Sequence, residues 1–337
     1  MAVVLDRRFF MCRKYFCLFI LITFLLIILS CEIDRVDISK DSITQKITVD
    51  GVTIEKSESI ITLFQPTLTV DESVESTESP FYNADKSGVT VNNFAIGRYE
   101  VTYELWYAVR NWALKNGYRV LKAREGNAGV SDAAPTAENK QQPAVAVSWR
   151  NAIVWCNALS EITGRVPVFY ADREYKTVLK TFSNDGETLF KNPGEIDCPY
   201  IMSDRFGNTD ILKCTANGFR LPTEKEWEFA ARGSRPYNTT NWNYKYAGSD
   251  TADEVSWGYD NSDNKTHIVG TKKPNLIGIY DMCGNAAEWC WDWYSDMQRV
   301  ERGGSYCTNT NIDRRFYKNP AYSCTFRGFR TCFSVFE

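Results

Sequence analysis

The feature that most limits what this chain can fold into is a run near its C-terminus, from Arg302-Gly303-Gly304-Ser305 to Gly328-Phe329-Arg330. Two adjacent glycines open it, where the backbone must turn freely or approach another segment closely. Gly-Phe-Arg closes it, next to the apolar Cys332, Phe333, Val335 and Phe336. Between these ends, residues 306–327 follow neither the period of a helix nor that of a strand. A fold that accepts such a run must hold a long irregular segment by its two ends. Aromatic, amide and guanidinium groups on irregular backbone are the material of binding surfaces. The ligand contacts are expected among Tyr306, Cys307, Thr308, Asn309, Asn311, Asp313, Phe316, Tyr317, Tyr322, Cys324, Phe326 and Arg327. An ordinary surface loop is the plainer reading of the same residues.

At 337 residues the chain is long enough for one large domain or two small ones. A net charge of -3 provides no basic footprint, which argues against nucleic acid as a partner. The start reads as an address. Arg7, Arg8, Arg13 and Lys14 precede an apolar run from Tyr15 to Leu29, broken only by Thr23. Ser30 and Cys31 follow. This order describes a secretory signal over residues 1–30. The cysteine after Ser30 resembles the lipidation site of bacterial lipoproteins, although Ile28 stands where leucine is more usual. An uncleaved anchor is the other reading, but the run falls short of the ~20 residues of a membrane span. The expectation is a lipid anchor at Cys31 that ties the chain to a bacterial membrane, at the outer membrane or cell surface.

Residues 31–80 are rich in Ser, Thr, Asp and Glu and read as a tether. Alternating β-branched residues at 43–54 and 60–70 predict strands, either the first of the domain or a small hairpin of their own. The folded body is expected over residues 81–337, with a strand at 89–96. Thr102 caps a first helix that presents Leu105, Val109, Trp112 and Ala113 and ends at Gly117. Residues 117–142 read as a long loop. Ser148 caps a second helix, with Ala152, Trp155, Cys156 and Leu159 on one side. Residues 165–217 read as an insertion of short strands and turns. Thr223 and Glu226 have the spacing of a capping box before Trp227, Ala230 and Ala231.

Eight of the eleven cysteines lie beyond Cys31, and sequence does not fix their pairing. Cys307 and Cys324 are either bonded to each other or free. The single histidine, His267, excludes a multi-histidine metal centre.

Five motifs in order resemble the formylglycine-generating enzyme, or sulfatase-modifying factor, family. They are Arg98–Thr102; Val147-Ser148-Trp149 with Ala152 and Cys156; Phe219–Glu228; Gly284–Trp289; and the Gly-Gly-Ser and Gly-Phe-Arg ends. The resemblance covers about residues 88–337 and implies an α+β, C-type-lectin-like fold, with two main helices, short twisted strands and long loops. It also implies an oxidase that binds copper through two cysteines after Gly-Gly-Ser. Here Cys307 comes one place early, and Ile312 stands five residues beyond it. A copper centre needs two soft thiolates, and a thiol with an isoleucine does not supply them. Another branch builds an iron site from several histidines, of which this chain has one.

The same ends also resemble the variable proteins of diversity-generating retroelements, nearest to the lipoprotein kind found in spirochaetes. Mutation of adenines in asparagine codons cannot produce Trp, Met, Gln, Glu or Lys. Residues 306–327 contain only Lys318 from that set, in a chain with ten tryptophans. The resemblance therefore implies a non-catalytic protein that displays residues 302–330 to a protein or glycan ligand. An oxidase and a purely structural lipoprotein are the alternatives. The family's calcium loop would carry over to Asp281, Gly284, Ala286 and Glu288, an oxygen set suited to calcium. Glu288 paired with a neighbouring arginine is the competing reading.

Overall fold

The structure is a computed structural model. It describes residues 91–119, 122–182, 199–203, 209–233, 244–308 and 311–336, and the backbone of three short strands before them. The signal, Cys31, the rest of the tether and Asn309 lie outside the described residues.

Strands β1 (Ile47–Val49) and β2 (Val52–Ile54) pair as an antiparallel hairpin. Strand β3 (Ile60–Leu63) pairs instead with β4 (Phe94–Gly97), so of the two stretches read from sequence, one is a separate hairpin and the other joins the main body. All four residues of β4 are buried, which is why its pattern alternates less cleanly than a half-exposed strand would.

Helix α1 (Tyr103–Lys115) starts where Thr102 accepts the Leu105 amide, and the chain leaves it through Gly117 at φ +82°. Its buried rings are Tyr103 and Trp106, while Trp112 is half-buried. The predicted loop at 117–142 carries β5 (Arg124–Glu125), which pairs with β6 (Ala144–Val145). Helix α2 (Trp149–Ile162) begins at Ser148, whose hydroxyl accepts the Asn151 amide. Residues 149–160 of α2 are buried almost without interruption, so this is the central helix rather than an amphipathic one. Strands β7 (Phe169–Tyr170) and β8 (Tyr200–Ile201) pair within the insertion. Helix α3 (Glu224–Ala231) has the full capping box: Glu226 N–H donates to Thr223 Oγ1 at 3.2 Å, and Thr223 N–H donates to Glu226 Oε2 at 2.7 Å. A single turn, α4 (Ala252–Val255), follows.

The last third forms β9 (Ala287–Ser295), β10 (Gln298–Arg302), β11 (Phe316–Lys318), β12 (Arg327–Gly328) and β13 (Cys332–Ser334). One sheet has the order β11-β10-β9-β12, with β12 parallel to β9. The other has the order β13-β4-β3. Few helices, short strands and long ordered loops make this the α+β, C-type-lectin-like architecture.

The core explains the closing motif. Trp106 of α1 stacks on Trp155 of α2 with ring centres 5.6 Å apart. Phe329 sets its edge against both, at 5.9 Å and 5.3 Å. The buried indoles of Trp149, Trp155 and Trp289 each donate to a backbone carbonyl, which removes the desolvation cost of an unpaired donor.

Candidate ligand-binding surface

Both ends of the segment 302–330 are held by buried ion pairs. Arg302 is completely buried and donates to Glu224 at 2.7 Å and Glu228 at 2.8 Å, both on α3. It also donates to the Ile312 carbonyl, and so grips the segment it introduces. At the other end, Arg330 donates through Nε and Nη2 to the two oxygens of Glu288, each at 2.7 Å, and to the carbonyls of Gly97 and Tyr280. Bidentate guanidinium–carboxylate pairs of this kind fix orientation as well as charge. Gly303 and Gly304 take φ +84° and +71°. At Gly303 a Cβ would also meet the Met282 carbonyl at 3.1 Å and the Trp227 ring at 3.3 Å, so the turn requires glycine on both grounds.

Between these ends the side chains divide. Ile312 and Pro320 are buried, and their backbone is tied to Lys245 and Arg150. Asp313 pairs with Arg232, and Arg315 grips Glu224 through two hydrogen bonds of 2.6 Å. Tyr306 is buried, with its carbonyl accepting from Ser262. Arg327 is buried against Glu301. Tyr306 and Arg327 are anchors that face the body, and Asp313 is tied to it while 35% of its side chain stays exposed, whereas the sequence placed all three among the contacts. Thr308 closes a tight turn with Ser305. Cys307, Asn311, Phe316, Cys324 and Phe326 are half-buried. Tyr317 and Tyr322 are 43% and 59% exposed, and Arg314, Lys318 and Ser323 are also exposed.

One contributor lies outside the segment. Tyr294, at the end of β9 and 44% exposed, stacks on Tyr317 with ring centres 3.8 Å apart and planes within 13°. Arg315 sits over the Tyr294 ring at 5.4 Å. Trp289, Trp291 and Trp293 read as core supports from sequence, and Tyr294 beside them carries no signal of its own. Only the strand's burial pattern, which turns outward at 294, separates the tyrosine from the tryptophans.

The loop expected to hold calcium is built differently. Both oxygens of Glu288 are occupied by Arg330, and Oε2 also accepts the Trp227 indole at 2.7 Å. Asp281 Oδ2 accepts the Gly270 amide, and its Oδ1 has no partner. Asn285 bridges Glu100 and His267. Calcium takes six to eight oxygen ligands, whereas both Glu288 oxygens here already accept from a guanidinium. Among the described residues, no cluster of three or more acidic, histidine or cysteine side chains could hold a metal. Glu288 is the counter-ion of Arg330, the competing reading from sequence, with both its oxygens engaged. Burial drives the Asp281 carboxyl up to about 6, against the pull of Gly270 and Arg330. Burial, with Asp281 and Glu288 nearby, raises that of Glu100 well above its ordinary value.

The comparisons with known proteins agree with this architecture. The sulfatase-modifying factor enzyme 1-like domain matches residues 45–335. The chaperone protein LppX of Paenibacillus barcinonensis is 29% identical over 267 residues, covering 72% of this chain and 81% of that protein. The formylglycine-generating enzyme of Thermomonospora curvata is 30% identical over 157 residues, but covers 36% of this chain and 52% of the enzyme. Among solved structures, Treponema denticola variable protein 1 superposes with a TM-score of 0.58 at 27% identity, covering 86% of this chain and 99% of that one. With its motifs in order and the domain match spanning most of its length, the chain belongs to the formylglycine-generating enzyme, or sulfatase-modifying factor, family.

Proposed function

We propose that this protein is a non-catalytic, lipid-anchored binding protein whose segment 302–330 presents a diversifiable surface to a protein or glycan ligand. The observation that carries the reading is the division of that segment. Its anchors, Arg302, Ile312, Pro320, Arg327, Phe329 and Arg330, are buried, while Tyr317, Tyr322, Arg314 and Lys318 reach solvent between them. Tyrosines give large contact area for few rotatable bonds, and arginine adds directional hydrogen bonds. Such a segment can change its outward residues without changing the frame. The likeness to a Treponema denticola variable protein supports diversification, and the likeness to a protein called a chaperone supports binding rather than chemistry. The charged start and Cys31 support the anchor, with the domain held at the outer membrane or cell surface.

The oxidase alternative asks for a second thiolate after Cys307. The residue five positions on is Ile312, 1% exposed and packed. Sequencing the gene from independent isolates tests the proposal. Differences should concentrate at outward positions such as 314, 317, 322 and 323 and spare 302, 329 and 330. Uniform sequence there, with changes scattered elsewhere, would count against it. Cys307-dependent oxidation of a peptide cysteine would favour the oxidase.

A further inference from the structure

We propose that Cys307 and Cys324 join as a disulfide when the folded protein meets a disulfide oxidant, which closes the displayed segment on itself. The geometry begins with the strip 285–287. The Tyr306 amide donates to the Asn285 carbonyl at 2.9 Å, and the Ala287 amide donates to the Phe326 carbonyl at 2.8 Å. Those two attachment points are two residues apart, at most about 7 Å along the backbone. Cys307 directly follows Tyr306, and Cys324 stands two residues before Phe326. The chain thus leaves and returns at neighbouring points, with a cysteine beside each. Closing the bond would set the two Cα atoms about 4.4–6.8 Å apart.

Among the described residues, exposure singles out the same two cysteines. Cys307 and Cys324 are half-buried, whereas Cys156, Cys214, Cys283, Cys290 and Cys332 are buried. Burial raises the thiols of all five, which keeps them unreactive. Cys307 Sγ lies 3.3 Å from Ser305 Oγ, and Cys324 Sγ accepts from the Arg327 guanidinium. Burial raises the Cys324 thiol, Arg327 opposes that rise, and Cys307 adds to it from close by.

With oxidised glutathione as the oxidant, the steps balance. The Cys307 thiolate attacks one glutathione sulfur, the glutathione S–S bond breaks, and one glutathione thiolate leaves. The Cys324 thiolate then attacks the Cys307 sulfur of the mixed disulfide, and the second glutathione thiolate leaves. The two cysteine protons end on the two departing thiolates. The protein is oxidised by two electrons and glutathione is reduced by two.

The bond is independent of what the segment binds. The test treats the folded, full-length protein with oxidised glutathione, blocks remaining thiols with N-ethylmaleimide, and maps tryptic peptides by mass spectrometry. Trypsin cuts between the pair at Arg314, Arg315 and Lys318, so the bond appears as two linked peptides. The expected result is that linked pair, about 2 Da lighter than the two thiol peptides together, and its loss on reduction. In Cys307→Ser, Cys324 should take up the maleimide. Alkylation of both cysteines in the treated parent, a lasting glutathione adduct on either, or a bond from either to another cysteine overturns the proposal.

Discussion

Two irregular segments of this protein look alike in sequence and behave in opposite ways. Residues 281–288 and residues 305–327 both lack a repeating pattern, both lie beside left-handed glycines, and both carry polar side chains. In the first, every residue is buried, and Glu100, His267, Gly270, Trp227 and Arg330 supply its partners from elsewhere in the chain. In the second, buried anchors alternate with side chains that face water. Irregular backbone alone therefore does not mark a recognition surface. What separates the two is whether the polar groups find their partners inside the fold.

The contrast breaks most severely if the inner loop loses its counter-ion. Arg330→Ala leaves Glu288 charged and unpaired at the centre of the domain, which should cost about 3–5 kcal/mol. Urea denaturation of parent and variant measures this, and a loss below about 1 kcal/mol would mean that Glu288 is not locked as described. The next effect is electrostatic. Asp281 holds its proton more tightly when folded, up to about 6 against 3.8. The folded state then binds more protons than the unfolded one in that window, so this group's contribution to stability falls as pH rises from about 4 to 6. A shift of this size corresponds to up to about 3 kcal/mol, shared with the coupled Glu100. Asp281→Asn keeps an acceptor for Gly270 and tolerates φ +58°. It should flatten the pH dependence and stand more stable than the parent at pH 7; parallel curves for the two proteins would refute the assignment. The smallest effect belongs to the outer segment. Tyr322→Ala should change stability by no more than about 0.5 kcal/mol, since the ring is largely in water. A larger loss would mean that the outer segment is packed like the inner one.

What was legible in the sequence follows the range of the interactions. Thr102, Ser148 and the Thr223–Glu226 box start their helices because capping is local, settled within three residues. The ends of the segment were legible because glycine signals its own backbone requirement. The Arg330–Glu288 pair spans 42 positions, so no spacing rule announces it, and Glu288 read equally well as a metal ligand. Asp313 looked like a contact for the same reason, since its partner Arg232 caps the end of a helix 81 positions away in sequence. Tyr294 was hidden by its neighbours. Its neighbours Trp291 and Trp293, which cradle Arg299, read as core supports, and nothing local marks where the strand turns outward.

The fastening of Tyr306 and Phe326 to one short strip has a practical meaning. Bringing the termini of a long peptide together normally costs entropy that grows with its length. Here the body has already met that cost before any particular residue is chosen for the middle. A foreign peptide of matching length, spliced between those two points, would inherit the closure, and the body would work as a ready-made cartridge holder for constrained peptide libraries.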